Sequence, residues 1–251
     1  MNDETIKLKN PPIVEAILDI ECDSPVGQKL SDLKEPSQKS FMANYPKLRE
    51  QLLQELKIQT KPDGTPDHSC RYGVAAYQYL QEDEKQLVQV RAQGFTFNRL
   101  SPYTTLDDYL PEIERCWRLY VDLASPVQIR KIRLRYINRI LLPLVEGSVD
   151  LDQYLEIGPH LPDEEKLKFV GFINQHSAVE IATGHQVNTV LATQNPETGN
   201  LPVIFDNSAA TIESGSPDDW SWIAGKIMAL RQLKNEVFRR TLTDKCLNLF
   251  Q

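Results

Sequence analysis

The chain has little of what marks several common kinds of chemistry. Only 11 of its 251 residues are glycine, and neither GxGxxG nor GxxxxGK[ST] occurs, so a glycine-rich phosphate loop is excluded. HExxH and GxSxG are also missing. The four cysteines, Cys22, Cys70, Cys116 and Cys246, are widely separated and form no CxxC or short Cys/His spacing. That excludes a zinc knuckle and reads as free thiols in a reducing compartment. No apolar run approaches the roughly eighteen residues of a membrane-spanning helix. The start, MNDETIKLKN, lacks the basic-then-apolar pattern of a secretory signal, so a cytoplasmic protein with no membrane partner is expected.

What is present is a globular composition, with 41% apolar and 25% charged residues and a formal charge of −7. Such a chain can bury a large core and is not disordered. An acidic chain binds nucleic acid only through a local basic surface.

IVEAILDIE (13–21) alternates apolar and polar and predicts a first strand. Phe41, Tyr45, Leu48, Leu52 and Leu56 share one helical face, so residues 38–57 are expected to be helical with a break or restart at Pro46. The turn-rich KPDGTPDHS (61–69) is a surface loop. RYGVAAYQYL (71–80) and KQLVQVRAQGFTFNRL (85–100) predict a hairpin. Thr104 with Asp107 predicts a helix start, and Leu106, Leu110, Ile113, Trp117 and Tyr120 trace its buried face to Ser125-Pro126. The order then restarts. Residues 127–142 predict a long strand, 150–155 a short helical turn, and 166–182, 185–194 and 201–207 further strands. Ser216-Pro217-Asp218 predicts the start of a last long helix lined by Ile223, Ile227, Leu230, Val237 and Thr241.

The expected fold is therefore a single α+β domain over residues 1–251, with antiparallel sheet and helices on one face. Two related β-α-β-β-(β)-α halves, 11–124 and 126–242, are expected within it.

Charge is concentrated in one place. Between Pro126 and Pro143, five of sixteen residues are basic and none is acidic, against 28 basic residues in 251 overall. On a strand, Lys131, Arg133, Arg135 and Arg139 share one face and Ile132, Leu134, Tyr136 and Ile140 the other, giving a basic stripe roughly 27 Å long. Two readings stay open. Glu15, Asp19 and Glu21 on the first strand could neutralise the stripe by cross-strand ion pairs. Otherwise it is an anion, nucleic-acid or acidic-partner surface, extended by Arg91 and Arg99 beside Phe95 and Phe97.

Catalytic signals are sparse. His176, Glu180 and His185 are close in sequence but do not all share a strand face, so no metal is expected. Cys70 beside His68 and Arg71 is a weak candidate thiol. Asp107-Asp108, Asp163-Glu164-Glu165 and Asp218-Asp219 stand where helices begin and read as dipole-complementing residues.

Pro11-Pro12-Ile13-Val14-Glu15-Ala16, Arg135-Tyr136-Ile137-Asn138, and Lys234-Asn235 with Phe238 and Leu242-Thr243 occur in that order. This pattern is similar to a sporadically distributed family of uncharacterised bacterial proteins. The resemblance brings no activity, cofactor or catalytic residue. Its patchy distribution implies, by analogy, a mobile locus such as toxin–antitoxin or phage defence.

The expectation is a cofactor-free, non-enzymatic interaction protein that supports or neutralises a partner encoded nearby, and a homodimer. An anion- or nucleic-acid-binding module and an enzyme with a non-motif site are the alternatives.

Overall fold

In the computed structural model the described residues are 8–60, 66–163, 166, 167 and 169–251; of 55–60 and 66–71 only the backbone is described. The chain runs β1 (Ile13–Asp23), α1 (Lys34–Phe41), β2 (Lys47–Thr60), β3 (Pro66–Leu80), β4 (Gln86–Arg91), β5 (Gly94–Leu100) and α2 (Leu106–Ala124). It continues through β6 (Gln128–Pro143), β7 (Ile173–Val179), β8 (Gln186–Thr193), β9 (Asn200–Thr211), α3 (Trp220–Thr241) and α4 (Asp244–Leu247). The strands form one antiparallel sheet in the order β2-β3-β4-β5-β1-β6-β9-β8-β7. The fold is α+β, and among the described residues no helix is long and apolar enough to cross a membrane.

The sheet is nearly two-sided by sequence alone. Alternating residues of β1 (Ala16, Leu18, Ile20) and β6 (Ile132, Leu134, Tyr136) are buried on one face. Ile113, Trp117 and Tyr120 of α2 and Ile223, Ile227 and Leu230 of α3 pack there, with Phe41 at the end of α1. Trp117 also donates its indole N–H to the Pro217 carbonyl at 2.9 Å, tying α2 to the approach to α3. A second cluster joins Ile140, Leu191 and Phe205 to Phe238 and Leu242, with the Phe205 and Phe238 rings stacked at 5.6 Å.

Several expectations need correction. Residues 38–57 are not one helix: α1 ends at Phe41 and Pro46 precedes a strand. β2 is rich in Leu, Gln and Glu, good helix formers, but it pairs with β3 along its whole length, and this pairing overrides local propensity. The stretch 85–100 is two strands, since Arg91 pairs with Gly94 around a turn at Ala92-Gln93. Among the described residues of the stretch 166–182, only Ile173–Val179 form a strand. The cap of α2 is Thr105, in a reciprocal box with Asp108, and not Thr104. The cap of α3 is Asp219, which accepts from Trp222 N at 2.9 Å, and not Ser216. Residues 66–69 of the expected loop belong instead to β3, drawn into the ladder by pairing with β2; its residues 61–65, residues 1–7 of the leader and the Glu164-Glu165 pair lie outside the described residues, as do the side chains of His68, Cys70 and Arg71.

Candidate functional site

β6 is extended along its predicted length, and its basic side chains do stand opposite its apolar ones. The first strand neutralises much of the stripe, because β1 is the neighbour of β6. Asp19 faces Arg133 and Glu21 faces Lys131 across the ladder. The Asp19 carboxylate is 3% exposed and accepts from Arg133 at 3.1 Å, from Thr96 Oγ1 at 2.8 Å and from Arg91. Lys131 lies 4.0 Å from Glu21, and Arg130, at a bulge in β6, reaches Asp23 at 3.1 Å. The other two members turn outwards from β1. Arg135 grips Asp206 of β9 with two N–H groups, one of them at 2.8 Å. Arg139 meets Glu197 at 2.7 Å and Gln194 at 3.0 Å. Alongside, Gln78 donates to Gln89 at 3.1 Å, Gln89 to Asn98 at 2.9 Å and Asn98 to Glu15 at 2.7 Å, a chain crossing four strands. This face is a compensated polar lattice.

Arg91 and Arg99 do not extend it together. Because the β4–β5 register pairs Arg91 with Gly94, Arg91 falls on the open face, away from Phe95 and Phe97. Arg99 shares their face, with its guanidinium 5.2 Å from the Tyr109 ring centroid on the helical side.

A different arrangement lies on that helical side. The buried stripe of α3 runs Ile223, Ile227, Leu230, Lys234, Phe238 and Thr241, so a lysine occupies a position that helical spacing reserves for the core. Lys234 is 4% exposed, and its ammonium sits 3.7 Å from the centroid of the Tyr136 ring, a cation–π contact. No hydrogen-bond acceptor or carboxylate among the described residues pairs with it. Burial, helped by the nearby Arg231 charge, pushes its pKa down to about 7.

Lys234 borders an open cleft of about 1540 Å³ between α3, the start of α2 and the segment leading into β1. Its polar lining includes Tyr103, Asn138, Arg231 and Asn235. The Tyr103 and Tyr136 hydroxyls are 2.6 Å apart, and burial raises the pKa of both, that of Tyr136 to about 12. Arg231 is held by Asp107 at 2.8 Å, and Arg240 by Glu236 at 2.9 Å. Asn138 is 2% exposed and donates to the Phe205 carbonyl at 2.9 Å. Asn207, beneath α3, donates to the Lys234 carbonyl at 2.9 Å, and its own Oδ1 is buried without a partner.

The sequence motifs meet here. Pro11, Pro12 and Ile13 line the cleft, as do Tyr136 and Asn138, and Lys234, Asn235 and Phe238. Arg135, from the middle motif, points the opposite way. Strand and helix patterns singled out neither Tyr103 nor Lys234. The available signal was the spacing of four from Leu230 to Lys234 and from Lys234 to Phe238, which puts a charge inside an apolar stripe.

The other candidates do not form a centre of this kind. Cys22, Cys116 and Cys246 are buried free thiols whose pKa values burial raises to about 12, the opposite of an activated nucleophile. His185 is 5% exposed and lies 3.7 Å from Glu180 and 3.9 Å from Glu213, while His176 is exposed. Among the described residues no cluster of three or more His, Cys, Asp and Glu could hold a metal ion. No family model matches the chain, and no curated protein matches it.

Proposed function

We propose that the protein binds a small polar ligand with an anionic group in the cleft between α2 and α3. The observation that carries this reading is Lys234. A buried, unpaired lysine is costly to fold around, and it borders a cleft open to solvent where three distant segments converge. Arg239, which has no carboxylate partner among the described residues, and the anchored Arg231 add positive charge to the lining. The reading is tested by titrating a panel of small carboxylates and phosphates by calorimetry. A member that binds the wild type should bind Lys234→Met at least about tenfold more weakly, a loss of about 1.4 kcal/mol, and should bind Arg133→Ala unchanged. Equal binding to Lys234→Met would overturn the reading.

The arginine stripe supports an anion surface less well, because an incoming phosphate would have to displace carboxylates already in place. A protein-interaction role is favoured by one observation. Leu52 and Tyr72, on the β2–β3 hairpin, are 70% and 73% exposed, as a docking surface on an edge would be. Light scattering tests self-association through this edge, and a monomer mass at micromolar concentration would remove the homodimer.

We also infer an internal duplication. In each half the first strand lies beside the last, β1 beside β5 and β6 beside β9. The remaining strands follow outwards as a meander, and a long helix ends each half. β2 has no counterpart in the second half. The pairing of β1 with β6, antiparallel at the centre of the sheet, suits a pseudo-twofold relation between the halves.

A further inference from the structure

We propose that Lys234 captures a carbonyl compound, forming an imine with a ligand that carries an aldehyde or ketone together with an anionic group. This rests on the cleft being the binding site and names the class of ligand that it takes. The amine has the environment that such chemistry requires. It is nearly enclosed, no carboxylate among the described residues holds its proton, and it borders a cavity large enough for a ligand. The cleft that it borders is lined by Tyr136 and Asn138 from β6, Tyr103 and Asp107 from the approach to α2 and its first turn, Arg231, Asn235, Glu236, Arg239 and Arg240 from α3, and Asp244 from α4. Of the three carboxylates that line the cleft, Asp107 is taken by Arg231 and Glu236 by Arg240, while Asp244, at the start of α4, makes no ion pair with Lys234. With a pKa near 7, roughly half of the amine is unprotonated at neutral pH, against less than one part in a thousand for an ordinary lysine.

The step balances without an oxidant. The Nζ lone pair attacks the carbonyl carbon and a C–N bond forms. The C=O π electrons move to oxygen, which takes up a proton. The nitrogen loses its protons, the hydroxyl leaves as water, and a C=N bond remains. In the Tyr103–Tyr136 pair one hydroxyl donates to the other, so the accepting residue retains a proton that is free to face the cleft. That hydroxyl is suited to protonating the departing oxygen. Arg231 and Arg239 would hold the anionic group.

The test uses the intact chain and pyridoxal 5′-phosphate, an aldehyde with a phosphate, followed by borohydride reduction and peptide mapping. One adduct per chain is expected, on Lys234, with labelling half-maximal near pH 7. Tyr103→Phe should label more slowly at the same site. Labelling spread over exposed lysines with Lys234 unmodified would overturn the proposal, as would half-maximal labelling of Lys234 near the pKa of an ordinary lysine. Pyridoxine 5′-phosphate, which has no aldehyde, separates the two levels of the argument. If it binds the cleft by calorimetry, competitively with the aldehyde, but no adduct forms on Lys234, carbonyl capture fails and the binding reading stands. If neither compound engages the cleft, both fail for this ligand class.

Discussion

Asp19 and Arg133 stand directly opposite each other in the ladder between β1 and β6, and the carboxylate that Arg133 meets is almost wholly enclosed. Asp19 therefore serves as the hub of the open face. It receives two guanidinium groups and one hydroxyl, each from a different strand: Arg91 from β4, Thr96 from β5 and Arg133 from β6. It compensates two neighbouring guanidinium groups where the central strands β1 and β6 meet.

The hub should be unequal to its spokes. Asp19→Ala leaves two half-exposed arginines without a partner and should lower stability by about 2 kcal/mol, less than a fully buried pair would lose because solvent reaches the guanidinium groups. Arg133→Ala leaves Asp19 its other two donors and should cost under about 1 kcal/mol. Urea unfolding of both variants checks the order; equal losses would contradict it.

Lys234 should make stability depend on pH in a specific direction. Its folded-state pKa, near 7, is below the unfolded value near 10.5. The unfolded chain therefore binds more protons between these limits, so stability rises with pH through this window and is lost as pH falls through about 7. Between pH 6 and 8 the wild type should gain about 1 kcal/mol relative to Lys234→Met. Parallel unfolding curves at the two pH values give this difference, and no relative gain would mean that the amine is not desolvated.

The three thiols described as buried should be inert. Burial lifts the pKa of Cys22, Cys116 and Cys246 to about 12, and each lies inside a packed cluster. Alkylation of the native protein at pH 8 should leave all three unmodified by mass spectrometry, with full reaction only after denaturation. Tyr45 and Cys116 both donate to the Glu112 carboxylate, at 2.7 and 3.4 Å, and native labelling of Cys116 would show that this contact opens readily.

A compensated stripe should not behave as a phosphate-binding surface. A labelled single-stranded oligonucleotide at low salt should show no saturable binding, and Arg135→Ala should not alter the result. Saturable binding that weakens steeply with added salt would indicate that the ion pairs on β6 are displaced by phosphate.

The parts of the fold that were legible are those where one period dominates. The alternation of basic and apolar residues over 131–136, taken up again at Arg139 and Ile140, located β6 and both of its faces, and the spacing of Ile113, Trp117 and Tyr120 located α2. β2 was misread because its leucines fall at helical spacing among good helix formers, while its conformation is set by pairing with β3. Arg91 was put on the wrong face because a two-residue turn lets Arg91 pair with Gly94, which reverses the sense of alternation between β4 and β5. The acidic partners of the stripe were legible on β1, but Asp206 and Glu197 were not, since the β6–β9 neighbourhood is a long-range pairing. The cleft was hidden for a similar reason. Its motifs are roughly a hundred residues or more apart, and only the folded sheet and the helix packed on it bring Pro12, Tyr136 and Lys234 together.

The most direct measurement is the titration of Lys234 itself by NMR, using the Cε–Nζ resonances of isotopically labelled lysine, with Lys234→Met assigning the signal. A midpoint near 7 is expected in the free protein, with the resonance moving when pyridoxine 5′-phosphate is added. A midpoint close to that of the surface lysines, unmoved by the ligand, would contradict this expectation.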